Sequence, residues 1–239
     1  MNFFLILYPI DFRSILLYDT REVGAVRKVV MNLKSNSIAW NPMEAMVFTA
    51  ANEDYNLYTF DIRKLDRPVN VLIDHTSAVI DVDYSPTGRE LVSGSYDITV
   101  RIWATDMGRS RDIYHTKRMQ RLSTVSWSLD NKYIVSGSDE MCIRLWKARA
   151  SEKLGIMRDR ERVALQYNEK LKEKYGQHPQ VARIARHRHE PKHVKSAKAE
   201  LKIIKESSKR KEANRRKHSK PGAVPYTSER DNHTVDEME

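Results

Sequence analysis

Basic and histidine side chains crowd one stretch near the carboxyl end of this chain. Of its 239 residues, 42 are Lys or Arg and 32 are Asp or Glu. Residues 147–220 hold 24 basic and 9 acidic residues, whereas residues 1–146 hold 17 and 18. A neutral segment joined to a strongly cationic one is typical of proteins that bind polyanions, usually RNA or DNA. A solvated helical face without a binding role is the alternative.

Thirteen basic residues of that stretch are the candidate contacts for phosphate groups. They are Arg183, Arg186, Arg188, Lys195, Lys198, Lys202, Lys205, Lys209, Arg210, Lys211, Arg215, Arg216 and Lys217. Such contacts would be independent of nucleotide sequence and sensitive to salt. The segment KRKEANRRK also reads as a nuclear-localisation patch. Nuclear import and RNA contact are compatible interpretations, and both predict residence in the nucleus.

Metal binding and catalysis are not expected. His187, His189 and His193 lie close together, but a zinc site needs four ligands at set spacings, and the single cysteine, Cys142, is distant. Gly-rich phosphate loops, G-x-S-x-G and H-E-x-x-H are absent. Asp81 and Asp83 alternate along a strand and are interpreted as surface charges. We therefore expect no enzyme, no cofactor and no small-molecule substrate.

Neither a membrane protein nor a secreted one is predicted. No apolar run approaches the roughly 18 residues that a transmembrane helix needs. The opening MNFFLILYPI lacks the basic region and the cleavage site of a signal peptide. A single cysteine excludes an intramolecular disulfide framework.

Three similar units of 42–44 residues occupy the first part of the chain. They are SIAWNPMEAMVFTAANEDYNLYTFDIR, VIDVDYSPTGRELVSGSYDITVRIW and LSTVSWSLDNKYIVSGSDEMCIRLW. Their closing aromatic residues are Phe60, Trp103 and Trp146. Tyr18 ends a fragment of one more unit. Inside each unit, apolar residues alternate with polar ones and turn residues intervene, which predicts strands without intervening helices. The period is that of four-stranded propeller blades.

The units resemble WD40 repeats, since SGSYD…VRIW and SGSDE…IRLW carry that family's motif. The resemblance implies a structural hydrogen-bond tetrad of His75, a strand serine (Ser93, with Ser95 as the alternative), Asp97 and Trp103. The first and third units depart from the pattern, because Phe60 cannot donate a hydrogen bond and Arg118 replaces the histidine. The tetrad implies packing, not catalysis.

Propellers usually close a ring of about 4–8 blades, whereas this chain supplies about three blades and one trailing strand. We therefore predict an all-β WD40 propeller fragment, apparently lacking its N-terminal blades, followed by a basic α-helical extension. The boundaries are an atypical apolar segment at 1–13, repeats at 14–147, a basic helical domain at 148–220 and an acidic disordered tail at 221–239. In the last predicted helix, an apolar stripe runs through Val194, Ala197, Leu201 and Ile204.

The extension resembles the domain that follows the last blade in the Sof family of nucleolar WD40 proteins. The segments RIARHRH, NRRKHSKPG and VPY carry the resemblance, which covers roughly residues 147–235. It implies a non-catalytic scaffold of the small-subunit processome, acting in pre-rRNA processing and 18S rRNA maturation in the nucleolus. The implied partners are pre-ribosomal RNA and small nucleolar RNP proteins.

A second function comes from another class of WD40 proteins, the substrate-recognition adaptors of cullin–RING ubiquitin ligases. Their W-D-x-R box ends a blade, and its Arg reaches the ligase's linker protein. Here Tyr18-Asp19-Thr20-Arg21 and Phe60-Asp61-Ile62-Arg63 resemble that box, with another aromatic residue in place of Trp. This resemblance implies linker contacts through Arg21 and Arg63. Alternatively, the Asp and Arg simply close a turn.

Overall fold

The computed structural model describes residues 5–10, 13–228, 231 and 233–238. The predicted apolar segment and the predicted tail therefore lie partly outside the described residues. Residues 1–148 together with 190–239 form one compact unit, and residues 149–189 form a second. No helix in the described part of the chain is long and apolar enough to cross a bilayer.

Four antiparallel sheets make up most of the larger unit. The first sheet has the order β1 (Leu5–Ile10), β2 (Ser14–Asp19), β3 (Ala25–Met31) and β15 (Thr234–Met238). The second contains β4 (Ser35–Trp40), β5 (Val47–Asn52), β6 (Asn56–Asp61) and β7 (Asn70–Ile73). The third contains β8 (Val79–Tyr84), β9 (Glu90–Ser95), β10 (Val100–Ala104) and β11 (Ser110–Tyr114). The fourth contains β12 (Leu122–Trp127), β13 (Tyr133–Ser138) and β14 (Cys142–Lys147).

The first sheet differs from the prediction at both of its edges. The trailing strand, β2, pairs with β1 on one side and with β3 on the other. The apolar opening segment thus contributes a strand, because its Ile and Tyr residues favour extended backbone. The tail that was predicted to be disordered also contains a strand, since β15 pairs antiparallel with β3. Its acidic residues suggested disorder. The edge of β3, however, offers hydrogen-bond partners to the backbone of this segment, and the composition of the segment does not reveal them.

Neighbouring sheets enclose three layers of apolar side chains. Ile15 and Met31 of the first sheet pack with Phe48 and Phe60 of the second. Leu57 and Leu72 of the second sheet lie against Trp103 of the third. Val92 and Ile102 of the third face Val125, Trp127 and Ile134 of the fourth. The period-two alternation of the strands produces these layers, because it places apolar residues on the faces between sheets.

Three helices follow the sheets. They are α1 (Asp159–Tyr175), α2 (Pro179–Arg186) and α3 (Lys192–His218). Helices α1 and α2 belong to the smaller unit and contain no buried residue, whereas α3 belongs to the larger unit and buries Val194. Pro191 stands immediately before α3. It keeps the helix from beginning earlier, because proline disfavours a helical conformation in the residue before it. The predicted order of strands first and helices afterwards is confirmed, except that β15 follows α3.

Candidate functional site

The third sheet contains a buried chain of hydrogen bonds that begins at Trp103. The Trp103 indole N–H donates to Ser93 Oγ at 2.7 Å, and Ser93 Oγ lies 2.7 Å from His75 Nε2. His75 Nδ1 lies 2.8 Å from Asp97 Oδ2. The carboxylate can only accept here, so Nδ1 carries the proton and Nε2 accepts from the serine hydroxyl. The structure therefore brings together the four side chains of the expected tetrad and selects Ser93. Ser95 Oγ instead donates to the Ser77 carbonyl.

Arg101 extends this chain, and sequence reasoning missed it. Its side chain is fully buried, with Nη1 2.8 Å from Asp74 Oδ2 and Nη2 3.8 Å from Asp97 Oδ2. Ser110 Oγ donates to the same Asp74 oxygen. A strand places residues i and i+2 on one face, so Arg101 shares a face with Trp103. In the sequence, the position of Arg101 two residues before the closing tryptophan was the feature that could have identified it.

The ionisation of the cluster follows from its burial. Burial lowers the pKa of His75, which is therefore neutral near pH 7. Burial opposes ionisation of Asp97, but the interactions with His75, Arg101 and Thr99 hold its pKa below the usual range. Burial likewise opposes ionisation of Asp74, whose pKa is nevertheless lowered, first by the Arg101 charge. The cluster thus contains one buried cation between two buried carboxylates.

Helix α3 docks on this cluster through its first turns. Lys198 Nζ pairs with Asp74 Oδ1 and, at 3.0 Å, with Glu190 Oε1. His193 Nε2 donates to the Asp97 carbonyl oxygen at 3.3 Å. Of the predicted apolar stripe, Val194 is fully buried, whereas Ile204 is 60% exposed, so the docked part ends near Leu201. Lys198 is one of the predicted RNA contacts, and in the structure its ammonium group pairs with two carboxylates and anchors the helix.

Beyond Leu201, α3 projects from the sheets. We call residues 202–218 the distal segment, which at 1.5 Å per residue is about 25 Å long. All of its residues except Ser207 and Arg216 are exposed. It holds eight of the predicted contacts, namely Lys202, Lys205, Lys209, Arg210, Lys211, Arg215, Arg216 and Lys217, against Glu206 and Glu212. Two of them have acidic neighbours one turn away: Lys202 lies 3.8 Å from Glu206 and Arg216 lies 3.3 Å from Glu212.

The remaining predicted basic contacts lie outside the distal segment. Lys195 is exposed in the first half of α3. Arg183 and Arg186 are exposed in the last turn of α2, and Arg188 is partly buried just after it. Arg186 Nε donates to the Ala182 carbonyl oxygen at 3.2 Å. These three arginines belong to the smaller unit, so the thirteen predicted residues do not form one continuous surface on a single element.

The two boxes that resemble W-D-x-R form the same kind of turn. Asp19 Oδ1 accepts the backbone N–H of Arg21 at 3.1 Å, and Asp61 Oδ1 accepts that of Arg63 at 3.0 Å. Both arginines are exposed. The Arg27 guanidinium donates to the Ile62 carbonyl oxygen at 2.8 Å and so braces the second turn from the first sheet. The Asp closes the turn, and the Arg side chain extends outward from it.

Asp81 and Asp83 were interpreted as surface charges, and this was wrong. Asp81 accepts hydrogen bonds from Ser37 of β4 at 2.8 Å and from Thr124 of β12 at 2.9 Å. Asp83 Oδ2 accepts the backbone N–H of Trp127 at 2.7 Å. The pair therefore joins β8 to an edge strand of each neighbouring sheet, β4 and β12. Their partners lie 43 or 44 residues away, one repeat distant, which was the available signal.

The other two repeat units lack the full tetrad. In the fourth sheet, the Trp146 indole N–H donates to Ser136 Oγ at 2.8 Å, but Arg118 lies exposed on a loop. In the second sheet, Phe60 is buried among apolar residues. No group of three or more His, Cys, Asp or Glu side chains in the described ranges could hold a metal ion.

Comparison with protein families assigns both parts of the chain. The WD domain, G-beta repeat model matches residues 66–104 and 113–147, which cover most of the third and fourth sheets. The Sof1-like domain model matches residues 148–234. The chain combines WD40 repeats with a Sof1-like domain. The predicted resemblance is thereby confirmed, and the Sof1-like domain includes α1, α2 and α3.

Curated relatives are similar to this chain over most of its length. "DDB1- and CUL4-associated factor 13" of Danio rerio is 63% identical over 95% of this chain and 51% of its own length. The protein of that name from Homo sapiens is 59% identical over 93% of this chain and 50% of its own length. "Protein SOF1" of Saccharomyces cerevisiae is 51% identical over 91% of this chain and 44% of its own length. The chain thus spans about half the length of these relatives.

Proposed function

We propose that this chain is a non-catalytic scaffold of the small-subunit processome that acts in pre-rRNA processing and 18S rRNA maturation in the nucleolus. Its partners are pre-ribosomal RNA and small nucleolar RNP proteins, as the resemblance to the Sof family implies. The similarity to Protein SOF1 supports this assignment. The observation that carries it is the distal segment, a projecting helix with eight basic residues and two acidic ones.

The shape of α3 suits this role. Its first turns are held by the ion pair of Lys198 with Asp74, which lies between β7 and β8, so the helix is fixed at one end. The distal segment then presents cationic groups on all sides over about 25 Å. Phosphate contacts of this kind position a protein on RNA without reading its sequence. The sheets supply surfaces for protein neighbours, and the helix supplies the contact with RNA.

Sedimentation of the full chain in cell extract tests this proposal. A variant with Lys205, Lys209, Arg210 and Lys211 changed to Gln is compared with the parent chain at low and high salt. A heterologous nuclear-import signal on both chains separates RNA contact from import through KRKEANRRK. We expect the parent chain to migrate with large pre-ribosomal particles at low salt and the variant to be lost from them.

A matched control changes four exposed bases of α1, Arg160, Lys170, Lys172 and Lys174, to Gln. This variant removes the same charge from another helix of the chain. Equal loss from both variants would mean that net charge, not the distal segment, holds the chain on the particles. Unchanged migration of the distal variant would refute the assignment of RNA contact to α3.

A second candidate function is that of a substrate-recognition adaptor in a cullin–RING ubiquitin ligase. The names of the vertebrate relatives support it, as do the two turns that present Arg21 and Arg63. On this proposal the two guanidinium groups bind the ligase's linker protein. The function uses none of the basic residues of α3, so one chain can perform both roles.

Co-purification of the linker with the full chain tests the adaptor role. We expect Arg21→Ala combined with Arg63→Ala to reduce linker recovery at least tenfold, with particle association unchanged. The matched control changes two other exposed loop arginines, Arg67 and Arg109, to Ala. If linker recovery is the same for both double variants, the two turns are not the binding site.

A further inference from the structure

We propose that the turn at Tyr96 and the loop at residues 116–121 form a stacking platform for single-stranded RNA. The platform consists of Tyr96, Lys117, Arg118 and Arg121, and it lies beside the docked end of α3. This inference rests on the proposed function and extends it, since it adds a site on the WD40 repeats to the contacts expected from the helix.

Tyr96 and Arg121 form the centre of the platform. The Tyr96 side chain is 43% exposed, and the Arg121 guanidinium carbon lies 5.4 Å from the centroid of its ring. The loop that carries Arg121 is fixed by its apolar residues, since Met119 is 4% exposed and Leu122 is fully buried. An exposed aromatic ring and a guanidinium plane are therefore held together on an anchored loop.

The charge at the platform is positive. Lys117, Arg118 and Arg121 are all exposed within five residues of one another. Asp139 lies beside this loop, because its backbone N–H donates to the Arg121 carbonyl oxygen at 3.0 Å. Glu140, which follows it, pairs with Arg144. Three exposed bases thus outnumber the Asp139 carboxylate beside them.

Three further acidic groups near this end of the third sheet are already paired. Asp97 follows Tyr96 directly, but its carboxylate binds His75 and lies near Arg101. Asp74 pairs with Arg101 and Lys198, and Glu190 also pairs with Lys198. Their negative charge is therefore largely compensated and does not oppose an anionic ligand.

The platform is continuous with α3. His193 donates to the carbonyl oxygen of Asp97, so the start of the helix lies next to the turn that carries Tyr96. Lys192 and Lys195, on either side of His193, are exposed. A strand of RNA that binds these lysines and continues along α3 can place an unpaired base at the platform.

Single-stranded RNA is the ligand that this combination fits. Splayed bases stack on aromatic rings and on Arg guanidinium planes, and lysines beside them bind phosphates. In duplex RNA the bases stack on one another and are not available to the ring. The platform should therefore prefer single strands, whereas the distal segment should bind single-stranded and duplex RNA alike.

Fluorescence anisotropy of the full chain tests this preference with a labelled 12-nucleotide oligouridine and a 12-base-pair RNA duplex. Loss of one stacked base reduces affinity roughly 5- to 150-fold, so Tyr96→Leu should weaken oligouridine binding about tenfold and duplex binding less than twofold. Its salt dependence should be unchanged, because no charge is removed. Lys117→Gln with Arg118→Gln should instead lower the salt slope by about 1.4, or 0.7 for each phosphate contact on a single strand.

The matched control is Tyr55→Leu, which removes a 38% exposed tyrosine from the corresponding turn of the second sheet. We expect oligouridine to bind this variant as it binds the parent chain. Arg121→Gln removes the second half of the stack from an exposed position and should weaken oligouridine binding severalfold without unfolding the chain. Circular dichroism of each variant confirms that the sheets remain folded.

The outcomes separate this inference from the proposed function. If Tyr96→Leu and Arg121→Gln both bind oligouridine within twofold of the parent chain, while the distal variant is weakened, the platform is refuted and the proposed function stands. If the parent chain binds neither RNA, or if the distal variant binds both as well as the parent chain, the RNA role assigned to α3 is refuted.

Discussion

Arg101→Met should be the most destabilising single substitution in the third sheet. The guanidinium is fully buried between Asp74 and Asp97, at 2.8 and 3.8 Å. Methionine keeps much of the side-chain volume but leaves two buried carboxylates without their shared cation. Breaking a buried ion pair on one side costs about 3–5 kcal/mol. For a chain of this size, the melting temperature should fall by roughly 6–20 °C.

Urea denaturation followed by tryptophan fluorescence measures this loss, because Trp103 reports on the same cluster. The control is Arg111→Met in the neighbouring strand β11, whose guanidinium is 31% exposed and pairs with Glu90 at 3.1 Å. Loss of that ion pair should lower the free energy of unfolding by about 1 kcal/mol or less. If Arg101→Met lowers the free energy of unfolding by less than about 1 kcal/mol, Arg101 does not stabilise the two buried carboxylates.

A second substitution separates charge from packing. In the Arg101→Met background, Asp74→Asn removes one of the two carboxylates that have lost their shared cation, and Lys198 keeps Glu190 as a partner. We expect it to restore about 1–2 kcal/mol of unfolding free energy, whereas the same change in the parent chain should be destabilising. If Asp74→Asn is equally destabilising in both backgrounds, the loss in Arg101→Met comes from packing, and the electrostatic reasoning is wrong.

Three further predictions concern the sheets. The urea midpoint should fall as pH drops below about 6.5, because burial lowers the folded-state pKa of His75 and the unfolded chain therefore takes up the proton first. It should fall again below about 4, because the pKa of Asp97 is also lowered in the folded state. A flat profile from pH 7 to 3 would contradict this. Asp83→Ala should cost about 1–3 kcal/mol by urea denaturation, since it deprives a partly buried backbone N–H of its acceptor. His233→Ala should speed hydrogen exchange in β15 roughly fivefold, because it removes the 2.8 Å contact with the Tyr58 hydroxyl; unchanged exchange would mean that the backbone ladder alone holds the strand.

The repeats could be predicted from the sequence because their signal is local and occurs three times. Alternating apolar residues, turn residues and a closing aromatic at Phe60, Trp103 and Trp146 define the strands of each unit. The helix at Lys192–His218 was equally accessible, since its first half carries an apolar stripe and a proline precedes it. These features depend on neighbours within a few residues, which a single sequence displays.

The features that were missed depend on partners far away in the chain. Lys198 looks like every other lysine of its helix, and only the fold places Asp74 beside it, 124 residues earlier. The strand β15 has an acidic composition and forms because β3 offers an unpaired edge. Within its own strand Asp81 reads as a surface charge, and its contacts form with residues one repeat away in the chain. Each of these features depends on residues that the tertiary structure brings together, whereas a strand or a helix can be recognised from residues that are close in the sequence.

The position of Asp81 has a consequence for the way the repeat array unfolds. In a linear array, each repeat touches only its neighbours, so repeats can melt one after another from an end. Here one carboxylate holds β4 on one side and β12 on the other, so the repeat in the middle cannot open without releasing both. The second, third and fourth sheets should therefore behave as one cooperative unit, and the slowest-exchanging amides of the chain should lie in β8 and the strands beside it.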